Sequence, residues 1–223
     1  MESFKFNNVT SESLDIIVKE MPLVPRAERN IESVNIIGRS RSFHIDNKNY
    51  LTKDYTIDCI AKNRGKIDDI CKTFVGTHKL ELSKYPNRYW DATIKNQIDF
   101  DIYLNYLNEF PLQFELDPIG YSKEETVENI SSSTSINVGG NVDVYPIITI
   151  TGVGILTVNG YSLQVLESNI TIDCDLMQCF NGEIAKNDKV ILDEFPMLNV
   201  GTNNITLGEG ISNVKIKYRQ GWL

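Results

Sequence analysis

Residues able to carry chemistry are scarce in this chain. It has two histidines, His44 and His78, and four cysteines, Cys59, Cys71, Cys174 and Cys179. Neither histidine stands in a nucleophile motif with a serine or cysteine, and two histidines cannot furnish a His-rich metal site. The cysteines are unrelated in spacing and include no CxxC pair, which excludes the usual zinc and redox motifs. Cys59 and Cys71 fall on apolar faces, so reduced, structural thiols are expected. Long apolar runs are missing too. The longest, Ile147 to Leu156, is broken by Thr and Gly and falls short of a membrane span. Met1 to Thr10 lacks the apolar stretch of a signal peptide, so synthesis and retention in a cytoplasm are expected.

Positive charge is also in short supply. Lys and Arg number 22 against 30 Asp and Glu, a formal net charge of -8 over 223 residues. Such a chain has no general attraction for phosphate backbones, and the best basic cluster, Arg39, Arg41 and Lys48, is thin. No nucleic-acid binding is expected. The glycine-containing stretches Val138 to Asn141 and Gly152 to Gly154 lack the following helix and lysine of a phosphate cradle. Among acidic pairs, Asp68-Asp69 belongs to the solvated side of a helix and Asp193-Glu194 to a loop beside Pro196. Asp173 and Asp175, two apart on a strand, share a face and have the spacing for a metal or a dyad, although a solvated face is the commoner outcome. No catalytic residue, metal or cofactor is assigned, and the chain is not expected to be an enzyme.

What the sequence does have is period-two alternation. Leu14, Ile16 and Val18 share one face. So do Tyr55, Ile57 and Cys59, with Thr56 and Asp58 turned outward, and Phe110, Leu112, Phe114 and Leu116 repeat the pattern. One segment departs from it: Ile67, Ile70, Cys71 and Phe74 make a helical stripe ended by Gly76, and His78 follows in the loop beyond. Trp90 reads as a packing residue on a strand. Between Gly38 and Asp54 the chain turns polar, with turn formers at Asp46 to Asn49 flanked by Phe43/Ile45 and Tyr50/Leu51. This reads as a protruding β-hairpin arm over about 38–54 with little apolar cover of its own, which needs a neighbour to lie on. Tyr121 to Asn141 is rich in Ser, Thr, Asn and Glu and carries the domain boundary, giving a domain at 1–128 and another at 129–223. The second is a run of short strands: 147–150, 155–158, 163–166, 170–174, 190–192, 205–207 and 214–218. Asn159-Gly160 is a hairpin turn between two of them, and the spacing argues for an antiparallel sandwich.

The order of these segments resembles the distal tail proteins of long-tailed phages. FKFNNVTSESLDIIVKEM opens like that family, followed by the Pro22/Pro25 turn and the I-x-G-R segment at Ile36 to Arg39. LELSKYPNRYWDATI and FPLQFELDPIGYS are similar to its N-terminal strands. YPIITITGVGILTVNG, ITIDCDLMQCF, EFPMLNVGTNNITL and the ending YRQGWL are similar to its C-terminal domain. Ser40-Arg41 departs from the glycine that many relatives carry after G-R, and the sugar ligands of true galectins are not visible. The resemblance implies a mainly β protein with an N-terminal ring-forming domain, one helix and the arm, and a C-terminal galectin-like sandwich. It further implies a structural virion component, a six-fold ring at the tail tip assembled in the host cytoplasm. Its partners are further copies of itself, the tail tube protein, the tail-associated hub or lysin protein and often receptor-binding proteins, with DNA passing through the lumen. On this reading Arg39, Arg41, His44, Tyr50 and Leu51 are candidate contacts between copies. Rival readings are a carbohydrate-binding module using Tyr145, Tyr161 and Trp222, and the ring protein of a contractile tail or tailocin.

Overall fold

The computed structural model describes residues 2–98, 100–103 and 107–223. It divides into two compact units, residues 1–120 with Leu223, and residues 121–222.

The first unit contains β1 (Phe4–Phe6), β2 (Val9–Thr10), β3 (Ile16–Glu20), β4 (Arg29–Asn35), β5 (Ser42–Tyr50), β6 (Lys53–Ala61), α1 (Ile67–Thr73), β7 (Thr77–Leu82), β8 (Arg88–Ile94), β9 (Asp101–Tyr103) and β10 (Leu107–Leu116). Strands run in the order β2-β1-β7-β8-β10-β6-β3, with β9 also on β10, while among the described residues β4 and β5 pair only with each other. The register sets Phe110 opposite Cys59, Leu112 opposite Ile57 and Phe114 opposite Tyr55. Residues opposite one another in an antiparallel pair share a face, so the two alternating runs converge on one core, and all six are buried.

The helix shows how a narrow stripe wins over a wide one. Over seven residues only Ile70 is fully inside, and Phe74 at the C-terminal cap packs on Phe4 and Phe6, ring centres 5.9 and 5.6 Å away. Cys71, one residue and about 100° round from Ile70, is exposed, which corrects its expected place on the apolar face. His78 sits on β7 rather than in a loop, its ring edge-on to Phe6 at 5.4 Å.

A short strand, β11 (Gly120–Ser122), carries the chain into the second unit. There follow β12 (Thr126–Ile130), β13 (Thr134–Val138), β14 (Ile147–Gly152), β15 (Gly154–Val158), β16 (Tyr161–Val165), β17 (Ile170–Asp173), β18 (Gln178–Asn181), β19 (Ile184–Ala185), β20 (Val190–Leu192), β21 (Gly201–Leu207), β22 (Ile211–Tyr218) and β23 (Gly221–Trp222). A six-stranded sheet, β12-β22-β14-β17-β18-β19, faces a five-stranded one, β13-β21-β15-β16-β20. Ile148, Ile150, Val214 and Ile216 from the first interleave with Leu156, Val158, Leu163 and Ile205 from the second in one core. Asn159 (φ 51°) and Gly160 (φ 90°) form the hairpin turn between β15 and β16, as their identities require.

The division falls after residue 120, not after 128. The polar stretch supplies strands rather than a linker: β12 pairs with β22 from Thr126–Tyr218 to Ile130–Val214, and β13 with β21. Ile130, Ile136 and Val138 turn inward while their Ser, Thr and Asn neighbours face water, so few apolar residues suffice at these edges. Asp173 and Asp175 do not share a strand face. The strand ends at Asp173, whose Oδ1 accepts from the backbone N–H groups of Asp175 and Leu176 and closes the turn into β18.

The chain passes between the sheets twice at one corner, from β14 to β15 and from β21 to β22. Four glycines permit the two crossings to touch. A Cβ added at Gly210 would stand 2.2 Å from the Val153 carbonyl oxygen, one at Gly152 2.2 Å from that of Gly210, and one at Gly154 2.3 Å from that of Glu209. At Gly208 it would stand 2.5 Å from the Ile155 oxygen. This explains the Gly-Val-Gly run: its glycines admit backbone, not phosphate.

A matched pair of variants separates the two roles of glycine. Gly160 and Gly210 both have φ +90°, but a Cβ at Gly160 meets nothing within 4 Å. Gly160→Ala is expected to cost about 1–2 kcal/mol of left-handed strain, and Gly210→Ala about 1–3 kcal/mol more from overlap. Urea unfolding measures both; equal losses would show that the corner is not tightly packed.

Candidate functional site

The arm is poorly satisfied by its own surroundings. Its boundaries differ from the sequence expectation. It is the β4–β5 ribbon, Arg29 to Tyr50, with its tip at residues 36–41, where Gly38 has φ +84° and the Arg39 N–H donates to the Ile36 carbonyl at 3.0 Å. The turn formers at Asp46 to Asn49 make a bulge inside β5 instead. Asp46 Oδ1 accepts from the Lys48 N–H at 2.8 Å, Lys48 takes φ 57°, and the register jumps from Arg29–Tyr50 to Ile31–Asp46. Arg29 fixes this root. Its Nε donates to both Asp46 oxygens at 2.9 and 3.1 Å, its Nη1 to Tyr50 Oη at 3.0 Å, and its guanidinium lies 5.1 Å from the Tyr50 ring centre. The Arg29 hydrogen bonds hold the Asp46 carboxyl below its ordinary range, and Asp46 in turn raises Arg29.

Beyond the root, residues 31–49 are all exposed. The pairing sorts them into two unlike faces. Glu32–Ile45 and Val34–Phe43 lie on one, Ser33–His44 and Asn35–Ser42 on the other. The second face pairs its own polar groups, with Ile31 exposed nearer the root: Ser33 Oγ and His44 Nδ1 are 2.9 Å apart, and Ser42 Oγ donates to Asn35 Oδ1 at 2.6 Å. The first is an apolar stripe of Val34, Phe43 and Ile45 left open to water, with Phe43 61% exposed. At the tip, Ile36, Arg39, Ser40, Arg41, Ser42 and Phe43 line an open concavity of about 420 Å³, beside a fully exposed Ile37.

Of the residues singled out from sequence, Arg39 and Arg41 belong to this tip. His44 belongs to the polar face. Tyr50 and Leu51 belong to the root, where the Leu51 N–H donates to the Glu28 carbonyl at 2.9 Å. They do not form one surface. The apolar stripe was missed because its strand β4 lies outside the polar stretch that marked the arm; the alternation Glu32, Val34, Ile36 was its only signal. The second-unit candidates are also scattered. Tyr145 is exposed just before β14 of the six-stranded sheet. Tyr161 starts β16 of the five-stranded sheet, on the side of Leu163 and Val165 that faces the core. Trp222 lies on β23, outside both sheets. No single aromatic face results. Among the described residues, no group of three or more His, Cys, Asp and Glu is placed to hold a metal ion, and no helix is long and apolar enough to cross a membrane.

Directly after the arm, Lys53 is buried, with its Nζ 5.9 Å from the Trp90 ring centre and no hydrogen-bond partner; Trp90 Nε1 has none either. Desolvation pushes the Lys53 ammonium down to about 8. Burial raises the thiols of Cys59 and Cys174, the latter to about 12, and that of Cys179. Burial thus makes the thiols of Cys59, Cys174 and Cys179 poor nucleophiles, while Cys71 is exposed.

This two-unit arrangement, an arm-bearing β unit followed by an antiparallel sandwich, is the fold of a phage distal tail protein. The chain is similar over its whole length to SPP1 Dit (gp 19.1), whose crystal structure was described as a paradigm of the hub adsorption apparatus in phages infecting Gram-positive bacteria. The TM-score is 0.79, all of both chains is covered, and 12% of residues are identical. No protein-family model matches the chain, nor does any curated protein.

Two measurements test the electrostatics. With a folded value near 8 against 10.5 when solvated, Lys53 binds its proton less tightly in the native state. Its burial penalty is therefore complete below pH 8 and fades as pH rises toward 10.5. Lys53→Met is expected to stabilise at pH 7 by on the order of 3 kcal/mol, an advantage over the wild type that shrinks toward pH 10.5. A constant difference would show the ammonium to be solvated. Alkylation of the native protein is expected to label Cys71 alone, and of the denatured, unreduced protein all four cysteines. Fewer than four would reveal a disulfide.

Proposed function

We propose that this chain is a structural protein of a phage tail. On this reading it is a distal tail protein that assembles head-to-tail into a six-membered ring at the tail tip. The observation that carries the reading is the uncovered apolar stripe of the arm, on a chain whose fold matches SPP1 Dit from end to end. A two-stranded ribbon is marginal alone and gains stability only by lying on something. When that something is the next copy, the contact is heterologous and repeats, and a repeat that closes is a ring.

Residues 1–120 then carry assembly, and residues 121–222 form a self-sufficient sandwich displayed by the ring. The ring joins the tail tube protein above to the hub or lysin protein below, and the sandwich offers a platform for receptor-binding proteins. The net charge of -8 suits a lumen through which DNA passes without sticking. The role is mechanical and needs no catalysis, cofactor or metal. The virion tail tip is the place of action, after assembly in the host cytoplasm.

Electron microscopy and light scattering of the purified chain test this directly, and rings of about six copies are expected. Replacing Ile31 to Asp46 by a short Gly-Ser turn should leave the β-sheet circular dichroism intact and abolish the ring. Rings that persist without the arm would remove it from assembly.

A further inference from the structure

In the proposed ring the arm lies on the next copy, and its charge and pairing select a seat there. Between Ser33 and Ile45 there is no Asp or Glu, while Arg39 and Arg41 stand at the tip of a chain that is otherwise strongly acidic. Neither arginine makes an ion pair among the described residues; the arm's own bridge, Arg29–Asp46, lies at the root. The tip is therefore cationic and apolar at once, with both arginines beside Ile36 and Phe43 in one concavity.

The complementary surface is the outer face of β3, β6 and β10. Register places Ile17, Ile60 and Glu109 in one row across the three strands, and Glu20, Asp58 and Pro111 in the next. Ile17, Ile60 and Pro111 are half-buried, so the face is apolar in its middle and acidic round about. Two of its carboxylates stand apart from the rest. Lys19 holds Glu109 at 2.9 Å, and Lys95 holds Asp54 and Glu115 at 3.1 and 3.2 Å. Among the described residues Glu20 and Asp58 have no such cation, yet they sit directly opposite each other across a bulge. Like charges so placed destabilise a strand pair. A guanidinium arriving from outside would relieve that repulsion. The strand order ends at β3, so the face is reached from an open edge. The chain's own arm does not cover it, because residues 31–49 are exposed throughout.

Resting on the ring reading, we propose that the arm tip of one copy seats on the β3-β6-β10 face of a second copy, with Arg39 and Arg41 against Glu20 and Asp58 and the tip's apolar side chains over Ile17, Ile60 and Pro111. Each copy has one tip and one seat, which is what a closed head-to-tail contact requires. The contact is part ionic, so salt weakens assembly without abolishing it.

Sedimentation velocity of the full-length chain at 0.15 M and 1 M salt tests this, with circular dichroism as the check on folding. Arg39→Glu with Arg41→Glu, and separately Glu20→Lys with Asp58→Lys, should each raise the concentration needed for the ring at least tenfold. All four changes together should restore it. If the wild type forms no ring at any concentration, the ring reading fails and the seat with it. If the wild type forms rings and the arginine reversal leaves them unchanged, the ring stands and the seat is wrong. Failure of the fourfold variant to recover would also overturn the pairing. Should a reversal unfold the chain, a chain carrying Arg41→Cys, Asp58→Cys and Cys71→Ser decides the matter. Mild oxidation should then give a ladder of covalently linked copies, and an unlinked product would count against the seat.

Discussion

Backbone hydrogen bonds can hold β4 to β5, but they cannot keep water from the side chains of a ribbon two strands wide. A sheet hides a face only by packing a second layer on it, and the arm has none. Its sequence meets this constraint on one side alone. The His44 face closes its polar groups among themselves, and the Phe43 face leaves its apolar groups bare. The root, by contrast, is fixed by the Arg29–Asp46–Tyr50 contacts. A fixed root with an unsatisfied face is the asymmetry on which the proposed assembly rests.

The two compact units solve the same problem internally by different means. In the first, long alternating strands at the centre of one sheet stack Tyr55, Ile57 and Cys59 against Phe110, Leu112 and Phe114, and the short helix closes an aromatic cluster through Phe74. In the second, two sheets cover each other, and the cost is a corner where backbones meet too closely for any side chain. Asn203, fully buried, steadies the far end of that sandwich. Its Oδ1 accepts from Asn159 Nδ2 and the Asn199 N–H, and its Nδ2 donates to the carbonyls of Asn199 and Gly201. Every hydrogen-bonding position of that amide is used, which is the condition for burying it cheaply.

Charge in this chain is arranged by exclusion more than by attraction. Asp and Glu outnumber Lys and Arg over the whole chain, yet the thirteen residues from Ser33 to Ile45 hold no Asp or Glu. That local bias is slight in a count of the whole chain. It becomes informative only when the ribbon lifts those residues clear of the body.

Period two placed the core residues of β3, β6 and β10 from sequence alone, because alternation has one meaning where one face is buried. Asn159-Gly160 likewise fixed its turn, since few residues adopt positive φ in succession. The fold was legible in the order of such segments. Other features depended on partners distant in the chain. Asp46 to Asn49 has the composition of a hairpin turn, but whether it turns or bulges is settled by what pairs with it, and Arg29 and Ile31 make it a bulge. The polar residues after Tyr121 became strands because β21 and β22 offered them edges. The alternation of Glu32, Val34 and Ile36 was present throughout, but only pairing with Phe43 and Ile45 turned it into an apolar stripe. Glu20 and Asp58 stand 38 positions apart, and the bulge at Lys19 brings them face to face. Local preference acts over a few residues, whereas a face, an edge or a seat is defined by strands that the sequence keeps far apart.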